Sequence, residues 1–284
     1  MLCCAPSTVE AGEFLLVTAD EQTEGRGQRG TTWESTRGEN LTFNIGWKGP
    51  FAPLHLPPLG GELEASAFPI AREPLQAGGG LEGACQPHWP AANEQFLISE
   101  ITALAVLRAI EDTFSEATIP APIDGGRVVA IKWPNDVYVG DRKICGMLLE
   151  HQLSGRYIAE SIAGIGINVN QSEFTTEAGK AEGRGAPISL RQIVGHEVER
   201  EAVLECFVGH FMEGVRMLQD GRYDEVERDF KAHLYRRMGL HPYRDADGDF
   251  MGELVSVARN GTLNLRKSDG TVRSYAFKEV AYII

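Results

Sequence analysis

The feature that most restricts the fold is a series of β-prone segments separated by short connections. The segments are rich in Val, Ile and Tyr and occupy residues 128–131, 137–139, 144–149 and 157–169. Gly140-Asp141 lies between the second and the third, and a short glycine-containing link of this kind joins neighbouring strands as a hairpin. The series therefore predicts a sheet that is largely antiparallel.

Two further β segments and a long helix are predicted before this series. Residues 14–19 form a short apolar run that indicates a buried strand, and residues 41–47 alternate apolar with polar side chains. That alternation predicts a strand with one buried face. Apolar residues between Phe96 and Phe114 recur at spacings of three and four, which is typical of an amphipathic helix that packs on a sheet. Further helices are predicted at residues 190–194, 198–218 and 223–235.

The composition divides the chain into a large domain and a small β tail. Residues 237–284 contain short β segments separated by the turns Asn260-Gly261 and Asp269-Gly270, a pattern typical of a small all-β domain. Residues 1–236 form the larger domain, in which the Pro- and Gly-rich stretch 49–93 predicts an insertion or a mobile loop. The expected class is α/β (α+β), with a mixed, largely antiparallel sheet flanked by helices.

Charge and composition argue against several classes of function. The formal net charge of −13 argues against nucleic-acid binding, because that affinity depends on Lys and Arg. No apolar run approaches the roughly 20 residues of a membrane helix, and the first residues do not resemble a secretory signal. We therefore expect a cytoplasmic protein with no membrane partner. The five cysteines form no Cys-x-x-Cys pair and the seven histidines show no zinc-ligand spacing, which predicts reduced thiols and no structural metal.

A glycine-rich segment, Gly25-Arg-Gly-Gln-Arg-Gly30, is the first candidate binding element. It has the glycine spacing of a dinucleotide-binding loop, but the residues that follow it are β-branched rather than helical. Together with Val129-Ala-Ile-Lys132 it also imitates a protein kinase, yet about 100 residues separate the two segments. The glycines flank Arg26 and Arg29, so the loop suits a carboxylate or a phosphate. A tight turn with solvated arginines is an equally good interpretation.

A second candidate element places an ammonium, an amide and a carboxylate within the segment Lys132-Trp-Pro-Asn-Asp136. Its proline fixes a turn. Lys143 follows across the hairpin, so the ends of two strands can present cations to one anionic ligand, although Lys132 and Asp136 can also form a simple salt bridge. Farther along, Gly164 and Gly166 allow a ligand to approach the backbone closely, or mark only a bulge.

Three segments, taken in order, resemble the biotin–protein ligase family. They are Gln22-Thr-Glu-Gly-Arg-Gly-Gln-Arg-Gly-Thr-Thr-Trp33, then Lys132-Trp-Pro-Asn-Asp136 with Lys143-Ile-Cys-Gly-Met-Leu148, and finally Gly164-Ile-Gly-Ile-Asn-Val169. The resemblance implies a class II synthetase-like catalytic domain at 1–236 and an SH3-like β-barrel at 237–284. Some members carry an N-terminal DNA-binding domain and repress transcription. The sequence before Phe14 has no room for one, so we expect a monofunctional ligase.

The resemblance also implies roles for individual residues. Biotin would be held by Gln22, Gly25, Arg26, Gly27, Gln28, Lys132, Gly164 and Gly166. ATP would be held by Arg29, Trp33, Asn135, Lys143 and Asn168. The expected catalytic residues are Arg26, Lys132 and Lys143. Asp136 is the candidate for placing Mg²⁺, a cation that prefers oxygen ligands. For Trp33, packing without a ligand is an equally good interpretation.

The implied reaction has two steps. ATP adenylates biotin, and biotin then passes from the adenylate to a lysine of a biotin carboxyl carrier protein or carrier domain. Residues 21–30 are the candidate lid over the adenylate. Two alternatives stay open: a lipoate–protein ligase, against which the segment 132–136 argues, and a non-catalytic module that binds biotin or the carrier. A strand edge would also allow a homodimer.

Overall fold

The structure is a computed structural model that describes residues 14–20, 33, 35–48, 67–68, 89–114, 128–174 and 185–284, with 67–68 described through the backbone. The larger of its two sheets contains β1 (Phe14–Ala19), β2 (Leu41–Lys48), β3 (Ala67–Phe68), β4 (Val129–Lys132), β5 (Asp136–Val139), β6 (Arg142–Ser154) and β7 (Tyr157–Ile167). Their order across the sheet is β3-β1-β2-β7-β6-β5-β4. All pairings between these strands are antiparallel. Two isolated bridges, Ile131 with Leu234 and Lys143 with Pro187, are parallel.

Four α-helices accompany this sheet in the described part of the chain: α1 (Phe96–Asp112), α2 (Leu190–Val194), α3 (Arg200–Gln219) and α4 (Tyr223–Ala232). The sheet buries one apolar face against them, as shown by Phe43 of β2, whose ring centroid lies 4.9 Å from that of Phe207 in α3. Trp47, four residues farther along β2, lies 5.5 Å from Phe211 by ring centroids. Alternate residues of a strand share a face, so Phe43 and Trp47 lie on the face of the sheet that packs on α3, and the strand residues next to them lie on the opposite face.

The second sheet has five strands: β8 (His241–Asp245), β9 (Gly248–Val257), β10 (Leu263–Lys267), β11 (Val272–Tyr275) and β12 (Ala281–Tyr282). Their order is β11-β10-β9-β8-β12. The predicted fold class, with helices beside a largely antiparallel sheet and a small β unit at the end of the chain, is confirmed. Core residues of both sheets belong to one hydrophobic cluster, so the boundary between residues 236 and 237 stays a prediction.

Two strand predictions need correction. The alternation in β2 predicted one buried face, but Thr42 and Asn44 on the second face are also only 6% exposed. The reason lies outside the strand, because Trp33 covers Gly166, the cross-strand partner of Thr42. The other correction is β8, which the sequence did not reveal. Its residues are mostly polar, and Tyr243 alone among the five is buried.

Two further predictions concern residues that are described only in part. Most of the stretch 49–93 lies outside the described residues, apart from β3, Trp89 and the segment that leads into α1. Within the described residues, no helix combines the length and the apolar character that crossing a membrane requires.

Candidate functional site

The strand registers place one residue from each of five neighbouring strands in a single row across the sheet. Lys132 pairs with Asp136, Asp136 with Gly146, Gly146 with Gly166, and Gly166 with Thr42. Cross-strand partners lie on the same face, and Thr42 alternates with Phe43 in β2, so this face is opposite to the one that packs on α3. We call Gly146 and Gly166 of this row, together with Gly164 two residues before Gly166 in β7, the glycine floor. The row therefore runs from two charged side chains across the floor to a hydroxyl.

Asp136 joins two lysines at the charged end of this row. Lys143 Nζ lies 2.6 Å from Asp136 Oδ1, and Lys132 Nζ lies 4.0 Å from Asp136 Oδ2. The three side chains are between 10% and 18% exposed. Such a group carries one net positive charge in a place that is largely shielded from water, where charges interact more strongly than at a surface. It can attract a carboxylate or a phosphate that approaches over the floor.

A β-bulge brings Lys143 to this face. The pairing of β5 with β6 shifts register between Val137 and Tyr138, so that Tyr138 lies opposite Lys143 while Val137 lies opposite Cys145. The extra residue in β6 is Ile144, which is fully buried. Since successive strand residues alternate between faces, an unbroken register would place Lys143 on the face of Cys145, away from Asp136. The ion pair between Lys143 and Asp136 thus depends on the bulge.

The surroundings of Asp136 fit a divalent cation poorly. Its carboxylate already faces two ammonium groups, which oppose the binding of a second kind of cation. Asp136 is better explained as an anion that holds two lysines in place than as a ligand of Mg²⁺.

Trp33 lies on the glycine floor. A Cβ atom at Gly166 would be 2.6 Å from Trp33 Cε2, and one at Gly146 would be 3.3 Å from Trp33 Cζ3. Glycine at these two positions therefore makes room for the indole ring. The ring centroid also lies 5.7 Å from Lys143 Nζ. The indole N–H is buried and has no hydrogen-bond partner among the described residues, so Trp33 offers a donor at the floor.

The two asparagines assigned to ATP form hydrogen bonds with the backbone. The side-chain amide of Asn135 donates to the carbonyl of Met147, and Met147 N donates to the carbonyl of Asn135 at 2.9 Å. Asn168 Nδ2 donates to the carbonyl of Ile188 at 3.1 Å. These bonds tie the turn after β4 and the end of β7 to neighbouring segments. The structure thus gives both residues a role in holding the walls of the site.

The other predicted site residues lie outside the described residues. They are Gln22, Gly25, Arg26, Gly27, Gln28 and Arg29. The whole candidate lid at 21–30 also lies outside the described residues. The described residues on both sides of this segment are at the floor. Ala19 pairs with Thr42, and Trp33 covers Gly166.

Sequence reasoning missed two polar residues of β2 at the far side of the floor. Thr42 Oγ1 is buried and has no hydrogen-bond partner within the described residues. Asn44 pairs with Gly164, and its Oδ1 would lie 3.0 Å from a Cβ atom there. The alternating pattern of β2 is the only signal in the sequence, and it predicts one buried face without indicating what covers the other. Buried groups that lack a partner are costly, which marks Thr42 as a candidate ligand contact.

Cys145 takes no part in this site. Its side chain is fully buried and lies one residue away from Gly146, on the opposite face of β6. Burial raises the pKa of the Cys145 thiol far above its usual range. The thiol therefore stays protonated and is not a candidate nucleophile.

Comparison with known proteins gives this site a context. The family described as "Biotin/lipoate A/B protein ligase family" matches residues 85–168. A "Biotin--[acetyl-CoA-carboxylase] ligase" of Paracoccus denitrificans is 30% identical over 222 residues, which are 73% of this chain and 87% of that protein. The "Bifunctional ligase/repressor BirA" of Bacillus subtilis is 24% identical over 268 residues. This alignment covers 94% of this chain but 66% of the relative, so the chain spans slightly less than two thirds of its length.

A solved structure shares the fold. The biotin protein ligase of Aquifex aeolicus, in complex with biotin and ATP, superimposes with a TM-score of 0.60 at 21% sequence identity. The match covers 97% of this chain and 91% of that one. At this identity the likeness shows the fold alone.

Proposed function

Since the chain belongs to the biotin–protein ligase family, which confirms the family predicted from its sequence, we propose that it activates biotin with ATP and attaches it to a lysine of a carrier protein. The observation that carries this proposal is the convergence of Lys132 and Lys143 on Asp136 beside the glycine floor. The two lysines are shielded from water, and the glycine floor beside them has no side chains that would obstruct a ligand. This arrangement suits a reaction in which a carboxylate approaches a phosphate.

In the first step, a carboxylate oxygen of biotin attacks the α-phosphorus of ATP, and the bond to the bridging oxygen breaks to release pyrophosphate. Two anions repel each other as they approach, so the step requires nearby positive charge. Lys132 and Lys143 supply that charge, and Asp136 fixes the position of both ammonium groups. The product is biotinyl adenylate, a mixed anhydride.

In the second step, the ε-amino group of the carrier lysine attacks the carbonyl carbon of the adenylate. The bond between that carbon and the phosphate oxygen breaks, AMP leaves, and the amine loses a proton to the surrounding solvent. Positioning accounts for much of the rate of such a transfer. Because water would hydrolyse the adenylate, we assign the segment 21–30 as its cover, with Arg26 as a contact to the intermediate.

The remaining assignments complete the proposal. Biotin lies over Gly164 and Gly166 with the segment 22–28 around it, and ATP lies toward Lys143 and Trp33. Carrier proteins of biotin-dependent carboxylases are the partners, and the cytoplasm is the location. Mg²⁺ would accompany ATP, and we assign Asp136 to the two lysines rather than to the metal, because its carboxylate lies 2.6 Å from Lys143 Nζ and 4.0 Å from Lys132 Nζ.

One assay tests the activity. The protein is incubated with ATP, Mg²⁺ and an apo carrier domain, with either biotin or lipoate, and the mass of the carrier is measured. We expect addition of one biotin to the carrier and none of lipoate. Modification by lipoate alone would show a lipoate ligase, and binding of biotin without any modification would show a non-catalytic module. Either result contradicts the proposal.

Exchange of pyrophosphate with ATP in the presence of biotin tests the residues. Lys132→Ala and Lys143→Ala should each reduce this exchange strongly, whereas Lys231→Ala, at an exposed position of α4, should leave it unchanged. Arg26→Ala should shorten the time for which the enzyme retains the adenylate. Near-normal exchange in either site variant would mean that the two lysines do not act on the reacting groups.

A further inference from the structure

Two tyrosine rings flank the ammonium group of Lys132. Lys132 Nζ lies 5.3 Å from the ring centroid of Tyr138 in β5 and 4.9 Å from that of Tyr282 in β12. Both distances are within the range of a cation–π interaction, and such contacts gain strength where water is excluded. Tyr138 and Tyr282 are at most 2% exposed. The ammonium group therefore has a carboxylate on one side and aromatic faces on two others.

One of these rings belongs to the second sheet, whose strands are distant in sequence from Lys132. The connections of this sheet make further contacts at the next residue. Trp133 Nε1 donates at 3.0 Å to the carbonyl of Gly261, in the turn between β9 and β10. The ring of Phe277, between β11 and β12, lies 6.2 Å from that of Trp133. Two consecutive residues of the segment 132–136 thus contact β12 and two of the connections between strands of the second sheet.

The ring of Tyr282, rather than its hydroxyl group, makes the contact with Lys132. Tyr282 Oη has no hydrogen-bond partner among the described residues. Burial raises the pKa of the Tyr282 hydroxyl well above its ordinary value, so the group stays neutral. What Tyr282 offers is the negative electrostatic potential of its ring face.

We propose that Tyr282 is a positioning residue of the ligase site, which together with Tyr138 holds the ammonium group of Lys132 in the orientation required for adenylate formation. This inference rests on the proposed function of Lys132. The C-terminal sheet is then a structural part of the active site, because Tyr282 of β12 contacts the ammonium group of Lys132. The hydrogen bond from Trp133 to Gly261 is a second contact between the segment 132–136 and this part of the chain.

The most direct test changes the electrostatics of the ring and leaves its shape nearly unchanged. Tyr282→Phe removes only the hydroxyl, and incorporation of trifluorophenylalanine at the same position weakens the negative potential of the ring face. We expect Tyr282→Phe to keep kcat for ATP–pyrophosphate exchange within about twofold of the wild type, and the fluorinated ring to lower it on the order of tenfold with a smaller effect on KM. Equal activity of the phenylalanine and trifluorophenylalanine proteins would overturn the proposal.

A double-mutant cycle separates positioning from a general loss of stability. Tyr282→Leu should reduce exchange in the wild-type background but cause no additional loss in a Lys132→Ala background, because its effect passes through Lys132. Tyr275→Leu is the control, since Tyr275 is also a buried tyrosine of this sheet but lies in β11, at the opposite edge of the sheet from β12. An equal loss from Tyr282→Leu in both backgrounds, or an equal loss from Tyr275→Leu, would show a packing effect and refute the positioning role.

A spectroscopic measurement distinguishes failure of this inference from failure of the proposed function. The ring currents of Tyr138 and Tyr282 should shift the ε-methylene protons of Lys132 upfield in a spectrum of the lysine-labelled protein, with the signal identified by its loss in Lys132→Arg. The shift should persist in Tyr282→Phe and decrease in Tyr282→Leu. If Lys132→Ala remains active while this pattern is observed, the contact is real and the catalytic assignment of Lys132 is wrong. If the pattern is absent, the contact itself does not exist in solution.

Discussion

Replacing Asp136 by asparagine should destabilise the protein because two ammonium groups then face each other without an anion between them. Asp136 Oδ1 and Oδ2 lie 2.6 Å from Lys143 Nζ and 4.0 Å from Lys132 Nζ. Removing one partner of a buried ion pair typically costs about 3–5 kcal/mol, since it leaves a charge without compensation. The three side chains are 10–18% exposed to solvent. We therefore expect a loss of stability at the lower end of this range, about 3 kcal/mol.

This loss of stability can be measured as a change in melting temperature. For a chain of this size, each kcal/mol lowers Tm by roughly 2–4 °C, so Asp136→Asn should lower Tm by about 6–12 °C. Asp249→Asn is the control, because Asp249 forms an ion pair with Arg244 in which both side chains are largely exposed. Exposed pairs contribute little, and the Tm of the control should stay close to that of the wild type.

An added anion should compensate for the missing carboxylate. Pyrophosphate contributes negative charge near Lys132 and Lys143, so it should raise the Tm of Asp136→Asn by more than it raises that of the wild type. Unfolding is followed by circular dichroism at several pyrophosphate concentrations. If Asp136→Asn has the same Tm as the wild type, or if pyrophosphate raises the Tm of both proteins equally, then Asp136 is not the anion that holds the two lysines together.

Three further predictions concern other parts of the molecule. Gly166→Ala should displace the ring of Trp33, because the new Cβ would lie 2.6 Å from Trp33 Cε2; we expect altered tryptophan fluorescence and weaker pyrophosphate exchange, and an unchanged emission spectrum would contradict this. Burial raises the pKa of Glu100 to about 8 from 4.5, so its contribution to stability is complete below about pH 4.5 and is lost as the pH rises through about 8. The free energy of unfolding of Glu100→Gln, measured in urea, should therefore not fall over this pH range. Parallel pH profiles for the wild type and Glu100→Gln would refute this prediction. Burial lowers the pKa of His151 to about 4 from 6.5, so its contribution to stability is present above about pH 6.5 and is lost as the pH falls through about 4. His151→Asn should therefore lose less stability between neutral and acid pH than the wild type does. Acid titration followed by fluorescence measures this difference.

Local patterns in the sequence determined most of the secondary structure. The helical spacing of apolar residues predicted α1, and the turn at Gly140-Asp141 predicted the hairpin of β5 and β6. Both depend on neighbours a few residues apart, so a short window of sequence contains the whole signal. The segments around Lys132 and Gly164 also indicated the family, because each is continuous in the chain.

The sequence did not reveal which of these residues lie together. Lys143 reaches Asp136 because a bulge at Ile144 turns it to the face of the glycine floor, and a bulge leaves no mark in a pattern of alternating residues. The alternation in β2 did not predict that Thr42 is buried. The ring that covers its cross-strand neighbour Gly166 belongs to Trp33, which comes from another segment of the chain.

Only the tertiary structure placed Tyr282 beside Lys132. The two residues come from different sheets, and their contact arises from the packing of one sheet against the other. Energetically this contact depends on the direction of a ring face and on the exclusion of water, which are properties of the assembled core. The sequence by itself determined which chemical groups this protein has and which elements carry them. The fold decided which of those groups share a face, which are shielded from water, and therefore which can act together on a ligand.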